Sequence, residues 1–108
     1  MKKKLIQQGD VLFFSESRLP DSLKPVTPEN GLLIFAKGEA TGHHHSVLAD
    51  SGVALFETDQ HELWASSESP FTVVHQEHKP VTLPVGTYRI GIVREIDPFA
   101  EEVKSVMD

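Results

Sequence analysis

The chain has 108 residues, 39% of them hydrophobic, and this length and composition suit one domain with a modest core. Its net charge is −6 with histidine neutral. The absence of cysteine excludes disulfides, thiolate metal sites and cysteine nucleophiles, and it fits a cytoplasmic protein. The negative charge argues against nucleic acid as a partner, and no apolar run has the length of a membrane span.

The first third of the sequence predicts two strands around an irregular loop. Residues 1–4 are expected to form a flexible basic end, and residues 5–14 have the apolar character of an opening strand. Three prolines in residues 15–31 forbid a regular helix or a central strand, so this segment is expected to be a Pro-rich loop. The apolar run 32–36 predicts a buried strand.

The middle of the sequence has the pattern of a β-hairpin. Residues 44–49 and 53–58 flank Asp50-Ser51-Gly52, which is typical of a three-residue hairpin loop with glycine in the left-handed position. This pairing would set His45 directly opposite Glu57, with the two Cβ atoms about 5 Å apart.

The last third predicts short strands and then a helix. Strands are expected at 63–65, 71–75 and 87–95, with turns between them. Asp97-Pro98 is a favourable helix start and predicts an acidic C-terminal helix over 97–108. Together, the segments predict a single all-β domain over residues 1–108, a small barrel or sandwich of about six to eight short strands.

Five of the six histidines lie in two short clusters. The first is His43-His44-His45, in which side-chain alternation puts the outer two on one face of a strand and the middle one on the other. The second contains His75 and His78, at the end of a predicted strand where functional groups are often placed. His61 stands alone among polar residues and is expected at the surface.

This pattern predicts a metal site. Imidazole is the commonest zinc ligand, and a carboxylate with an apolar floor beneath the rings completes the usual arrangement. Zinc is the favoured ion, with iron, manganese and nickel as alternatives. The predicted metal ligands are His43, His45, His75 and His78. Glu57 and His78 are the predicted catalytic groups, with Glu57 serving as ligand or as a support for the ligands.

Several longer motifs carry a resemblance to a family of small uncharacterised bacterial and phage proteins. The resemblance covers most of the chain and implies no established activity. The segments that carry it are Gln8-Gly9-Asp10-Val11, Gly38 to His45, His75 to Pro80, Leu83 to Tyr88 and Arg94-Glu95. More loosely, Gly38 followed by His43 and His45 is similar to the first metal motif of cupins, which implies a β-barrel metal site.

Four interpretations of the histidines remain open. A metal site with an open coordination position would act as a hydrolase or oxygenase on a small-molecule substrate. A metal-free acid–base enzyme would use His75 and His78. A non-enzymatic adaptor would bind a protein partner, and exposed sheet edges would favour a homodimer. The histidines could also be ordinary exposed loop residues.

Overall fold

Ten antiparallel strands make up the domain in a computed structural model that describes residues 5–37 and 42–93. The strands are β1 (Leu5–Gln8), β2 (Val11–Glu16), β3 (Lys24–Pro25), β4 (Leu32–Lys37), β5 (His44–Leu48), β6 (Val53–Glu57), β7 (Leu63–Ser67), β8 (Phe71–Val73), β9 (Val81–Leu83) and β10 (Gly86–Ile92).

One large sheet and two small ones share these strands. The large sheet has six strands in the order β1-β2-β10-β7-β6-β3, whereas β4 pairs with β5 and β8 pairs with β9. A two-residue bridge connects the small sheets, because Ser46 N donates to Val74 O at 3.0 Å and Val74 N donates to Ser46 O at 2.9 Å. Strand β5 therefore has β4 on one edge and the end of β8 on the other.

A single hydrophobic core holds the three sheets together. Phe13 of β2 meets Phe35 of β4 edge to face at 5.3 Å between ring centroids, which joins the large sheet to the first small sheet. Phe71 of β8 meets Tyr88 of β10 in the same way at 5.8 Å. All four rings are buried in one continuous cluster, so the small sheets pack against the large one.

The all-β prediction is confirmed, and its finer points need correction. The described part of the chain has ten strands rather than six to eight, and it contains no α-helix. The ladders of the large sheet leave β1 and β3 as edges, so the described strands do not close into a barrel. The predicted basic end at 1–4 and helix at 97–108 lie outside the described residues. Among those residues, none forms a helix with the length and apolar character needed to cross a bilayer.

The Pro-rich segment 15–31 contributes little regular structure. Strand β2 runs into it as far as Glu16, and the two-residue strand β3 lies inside it. Pro25 sits in β3 at the edge of the large sheet, where the missing N–H removes no ladder bond.

The predicted hairpin between β5 and β6 is wrong. His45 pairs in register with Ala36 of β4, whereas Glu57 pairs with Leu63 of β7. The physical reason is long-range: both edges of β5 are already occupied, by β4 and by Val74, so the turn after Ala49 carries the chain to the large sheet instead.

Candidate functional site

The two histidine clusters of the sequence meet in the folded domain. The ring centroids of His45 and His75 lie 4.4 Å apart, and those of His75 and His78 lie 4.7 Å apart. His43 lies 5.7 Å from His75, and His78 lies 5.9 Å from His45. These four imidazoles are called the histidine cluster below.

Strand β5 places the first two rings. His45 and Val47 share one face of this strand, and both are buried, so the imidazole continues the apolar face of the core. The ladder with β4 is shifted between Ile34 and Ala36, which leaves Phe35 without a partner in β5. A β-bulge of this kind re-aims side chains and is common beside functional sites.

The end of β8 places the other two rings. Phe71 and Val73 point into the core, and after Val74 the chain bends through residues 76–78. His75 itself holds this bend, because its Nδ1 accepts hydrogen bonds from the backbone N–H of Glu77 at 3.0 Å and of His78 at 3.3 Å. The bend brings the ring of His78 back beside that of His75.

Gln8, the last residue of β1, connects the two halves of the cluster. Its Nε2 donates to Val73 O at 3.0 Å and to Lys79 O at 2.9 Å. Its Oε1 lies 2.8 Å from Nδ1 of His45 in a buried hydrogen bond. One side chain, 2% exposed, therefore contacts β5, β8 and the segment that follows His78.

These hydrogen bonds determine where the protons of two imidazoles lie. Backbone carbonyls can only accept, so the Gln8 atom facing Val73 and Lys79 is the amide nitrogen and the atom facing His45 is the carbonyl oxygen. Neutral His45 must then carry its proton on Nδ1 and keep a lone pair on Nε2. In His75 the proton position is reversed. Its Nδ1 accepts hydrogen bonds from two backbone N–H groups, so its proton lies on Nε2.

Electrostatics keep the inner rings neutral. Burial, followed by the neighbouring imidazole of His75, lowers the pKa of His45 from an ordinary 6.5 to about 4, and the Asp10 carboxylate opposes this only in part. The pKa of His75 is lowered as well, by burial first and then by His78 and His43. Near neutral pH, His45 is therefore an uncharged imidazole.

The turn after β1 forms one wall of the cluster. Gly9 has φ of +58°, and a Cβ atom at this position would lie 2.5 Å from Nε2 of His78. The glycine is thus required both by its left-handed backbone and by the ring packed against it. Asp10 follows, with its Oδ1 3.7 Å from Nε2 of His45.

The outer rim of the cluster is polar. Nδ1 of His43 lies 2.9 Å from Oε1 of Glu77, and a carboxylate at this distance favours the proton on that nitrogen. His44 points elsewhere: its Nδ1 is within 3.0 Å of Ser46 Oγ, and its backbone N–H donates to Gln76 Oε1 at 2.8 Å.

Glu57 does not join the cluster. It lies in the large sheet, where its carboxylate is 3.5 Å from Nδ1 of exposed His61, and both line a cavity of about 440 Å³. The expected cross-strand contact with His45 is wrong because β6 pairs with β7 and β3. The carboxylate near His45 comes from Asp10 instead.

The side chains do not form a ready-made metal shell. Within residues 5–37 and 42–93, no three histidine, aspartate or glutamate side chains surround a common metal position as they stand. Any ion in the cluster would require some of the rings to turn about their side-chain bonds.

Comparison with known protein families matches residues 7–93 to a family described as "Domain of unknown function (DUF8820)". The chain belongs to this family. The matched range contains every residue of the histidine cluster together with Gln8, Gly9 and Asp10. No curated protein and no solved structure matches the chain. DUF8820 membership therefore names relatives without naming an activity.

Reasoning from local sequence missed the contribution of the β1–β2 turn to this DUF8820 domain. Asp10 reads as an ordinary turn residue, and nothing in the residues around Gln8 predicts a buried side chain. A signal was present, since Gln8-Gly9-Asp10 is one of the segments that carry the resemblance to small uncharacterised proteins. Only the fold brings that segment to the histidines.

Proposed function

We propose that the histidine cluster binds a divalent metal ion, zinc above all, with iron, manganese or nickel as alternatives. In this proposal His43, His45 and His78 supply imidazole ligands and Asp10 supplies a carboxylate. The observation that carries the proposal is the buried hydrogen bond of 2.8 Å between Nδ1 of His45 and the side chain of Gln8.

That hydrogen bond has the form found around metal-ligating histidines. Such a histidine donates one ring N–H to a fixed oxygen acceptor, which orients the ring and leaves the other nitrogen for the metal. His45 meets this requirement, and its lowered pKa keeps it in the neutral form that a metal needs. His43 beside the Glu77 carboxylate supports the same assignment.

His75 has a different part in the proposal. Coordination through Nε2 would require a proton on Nδ1, which would face the N–H groups of Glu77 and His78 instead of accepting from them. In the proposed site His75 is therefore an N–H donor and not a metal ligand. Since ring rotation must accompany binding, part of the binding free energy is spent on reorganisation.

The reaction class follows from the ligand set as an extension of the proposal. Three imidazoles and one carboxylate leave room for water or a small substrate on an ion that accepts a fifth or sixth ligand. A bound ion would supply Lewis-acid chemistry for hydrolysis, or for oxygenation if the ion is iron. In this account, Asp10 replaces Glu57 as the acidic group of the centre.

A metal-free acid–base enzyme is the second candidate. It is favoured by the complementary protonation of two neighbouring rings, in which His45 has a lone pair on Nε2 and His75 has a proton on Nε2. A base is most effective when its pKa lies near the working pH, and a pKa of about 4 makes His45 a weak base at neutral pH. This mismatch favours the metal site over the metal-free enzyme.

The test is a zinc titration against a competing chromophoric chelator, with His45→Asn and His61→Asn compared. His61 is the matched control because its side chain is 85% exposed, and asparagine tolerates its positive φ of 65°. We expect one zinc per chain in the wild type and in His61→Asn, with affinity at least about tenfold weaker in His45→Asn. Equal affinities in the two variants would rule out the cluster as the site.

A further inference from the structure

We infer that Gln8 is the positioning residue of the site: its carboxamide holds the proton of His45 on Nδ1 and anchors both ends of the segment that carries His75 and His78. The effect on metal binding rests on the proposed function. The effect on the His45 proton does not, because it follows from hydrogen bonds of the metal-free protein.

The chemistry of the three contacts requires a carboxamide. Two backbone carbonyls need donors and one imidazole N–H needs an acceptor, and the carboxamide of Gln8 offers both within one planar unit. A glutamate would set a carboxylate oxygen against two carbonyl oxygens. A methionine would match the length of the side chain and leave all three partners without their hydrogen bonds.

Gln8 holds the histidine-bearing bend at both ends, and this pair of hydrogen bonds is called the clamp below. Val73 lies two residues before His75, and Lys79 comes directly after His78. One NH₂ group thus binds the chain on both sides of the histidine-bearing bend, at 3.0 Å and 2.9 Å.

The clamp is itself fixed by the large sheet. Gln8 pairs with Val11 in the β1–β2 ladder, and its side chain is 2% exposed. A buried amide with both N–H groups and its oxygen bonded has no alternative rotamer of equal energy. The position of the imidazoles relative to one another is therefore set from β1, an element that contributes no histidine.

The consequence for the site is a choice between two nitrogens. A neutral imidazole free in water can carry its proton on either nitrogen, so either one can present its lone pair. With Nδ1 committed to Gln8, only Nε2 of His45 is available, and this is the atom that lies 3.7 Å from Asp10 Oδ1. Gln8 thereby determines that Nε2, and not Nδ1, is the atom of His45 available to coordinate a cation.

The first measurement uses the wild-type chain without metal. Long-range ¹⁵N–¹H correlation spectra of the histidine rings near neutral pH should give His45 a protonated Nδ1 and an unprotonated Nε2. The same spectra should give His75 the reverse pattern. A His45 proton found on Nε2, or exchanged equally between the two nitrogens, would overturn the inference whether or not the protein binds zinc.

The second measurement compares Gln8→Met with Gln60→Met, an exposed glutamine on another strand connection. We expect zinc affinity to fall by about tenfold to a hundredfold in Gln8→Met and to stay unchanged in the control. A folded Gln8→Met with wild-type affinity and an unchanged His45 proton position would refute the clamp. If Gln8→Met fails to fold, the wild-type spectra decide. If the wild type binds no zinc, the metal proposal fails while the proton position still tests Gln8.

Discussion

Acidification should destabilise the metal-free protein through His45. Its pKa in the folded state is about 4, whereas the unfolded chain has an ordinary value of 6.5. Between these values the unfolded chain binds more protons than the folded one, so the free energy of unfolding falls as the pH falls through 6.5 and levels off near 4. The stability gained by keeping this ring neutral is therefore complete above pH 6.5 and absent below pH 4.

The size of the effect follows from the difference between the folded and unfolded pKa values of His45. One pKa unit corresponds to about 1.36 kcal/mol, so the whole loss is about 3 kcal/mol, and about 2.5 kcal/mol of it falls between roughly pH 7.5 and pH 4.5. Solvent screens this ring little, because the His45 side chain is only 3% exposed. Against a typical total stability of about 5–15 kcal/mol, this is a large fraction.

Urea unfolding at several pH values, with a chelator present, measures this loss. The single tryptophan, Trp64, is buried and donates from Nε1 to Glu62 at 2.8 Å, so its fluorescence should report unfolding. His45→Asn removes the ionisable group and should reduce the pH dependence by about 2.5 kcal/mol over this range, whereas His61→Asn should leave it intact. The same pH dependence in wild type and His45→Asn would refute the reasoning.

Two further substitutions test the packing of the site and of the core. Gly9→Ala should weaken zinc binding, because its Cβ would displace the ring of His78. Gly31 is the control, since it has φ of +78° and no atom lies within 4 Å of a Cβ there. Gly31→Ala should lower the free energy of unfolding only by the backbone strain of about 1–2 kcal/mol. Equal zinc affinity in both alanine variants would mean that Gly9 does not position His78. Phe13→Ala should lower the free energy of unfolding by about 3–5 kcal/mol, since this fully buried ring joins β2 to Phe35 of β4. Urea unfolding checks the last value, and a loss under about 1 kcal/mol would contradict a shared core.

Local patterns located most of the strands, but they merged β1 and β2 into one segment and missed β9. They also failed to indicate which strands pair over long distances in the sequence. The alternation of Phe71 and Val73 correctly indicated which face of β8 is buried, whereas His75 lies beyond the end of this strand and is only partly buried. The turn residues around Gly52 suggested a hairpin, but a turn fixes only where the chain reverses. The bridge between Ser46 and Val74 decides the pairing of β5, and no local pattern indicates it.

The site was predictable only in part, because local sequence indicates rare residue types but not the residues that the fold brings to them. Histidine is rare enough that two clusters in a short chain indicated one location, and the rings do lie together. Acidic residues are common, so spacing alone selected Glu57, whereas the fold brings Asp10 to His45. Gln8 could not be selected from composition, because its role depends on three partners that are distant in the sequence.

The most direct test of the central claim is anomalous diffraction at the zinc edge from crystals of the wild-type protein loaded with one equivalent of zinc. The account predicts a single strong peak bonded to Nε2 of His45, with further ligands drawn from the histidine cluster and Asp10. A peak beside His61 and Glu57 would contradict it. The absence of any zinc peak from crystals of the zinc-loaded protein would contradict it as well.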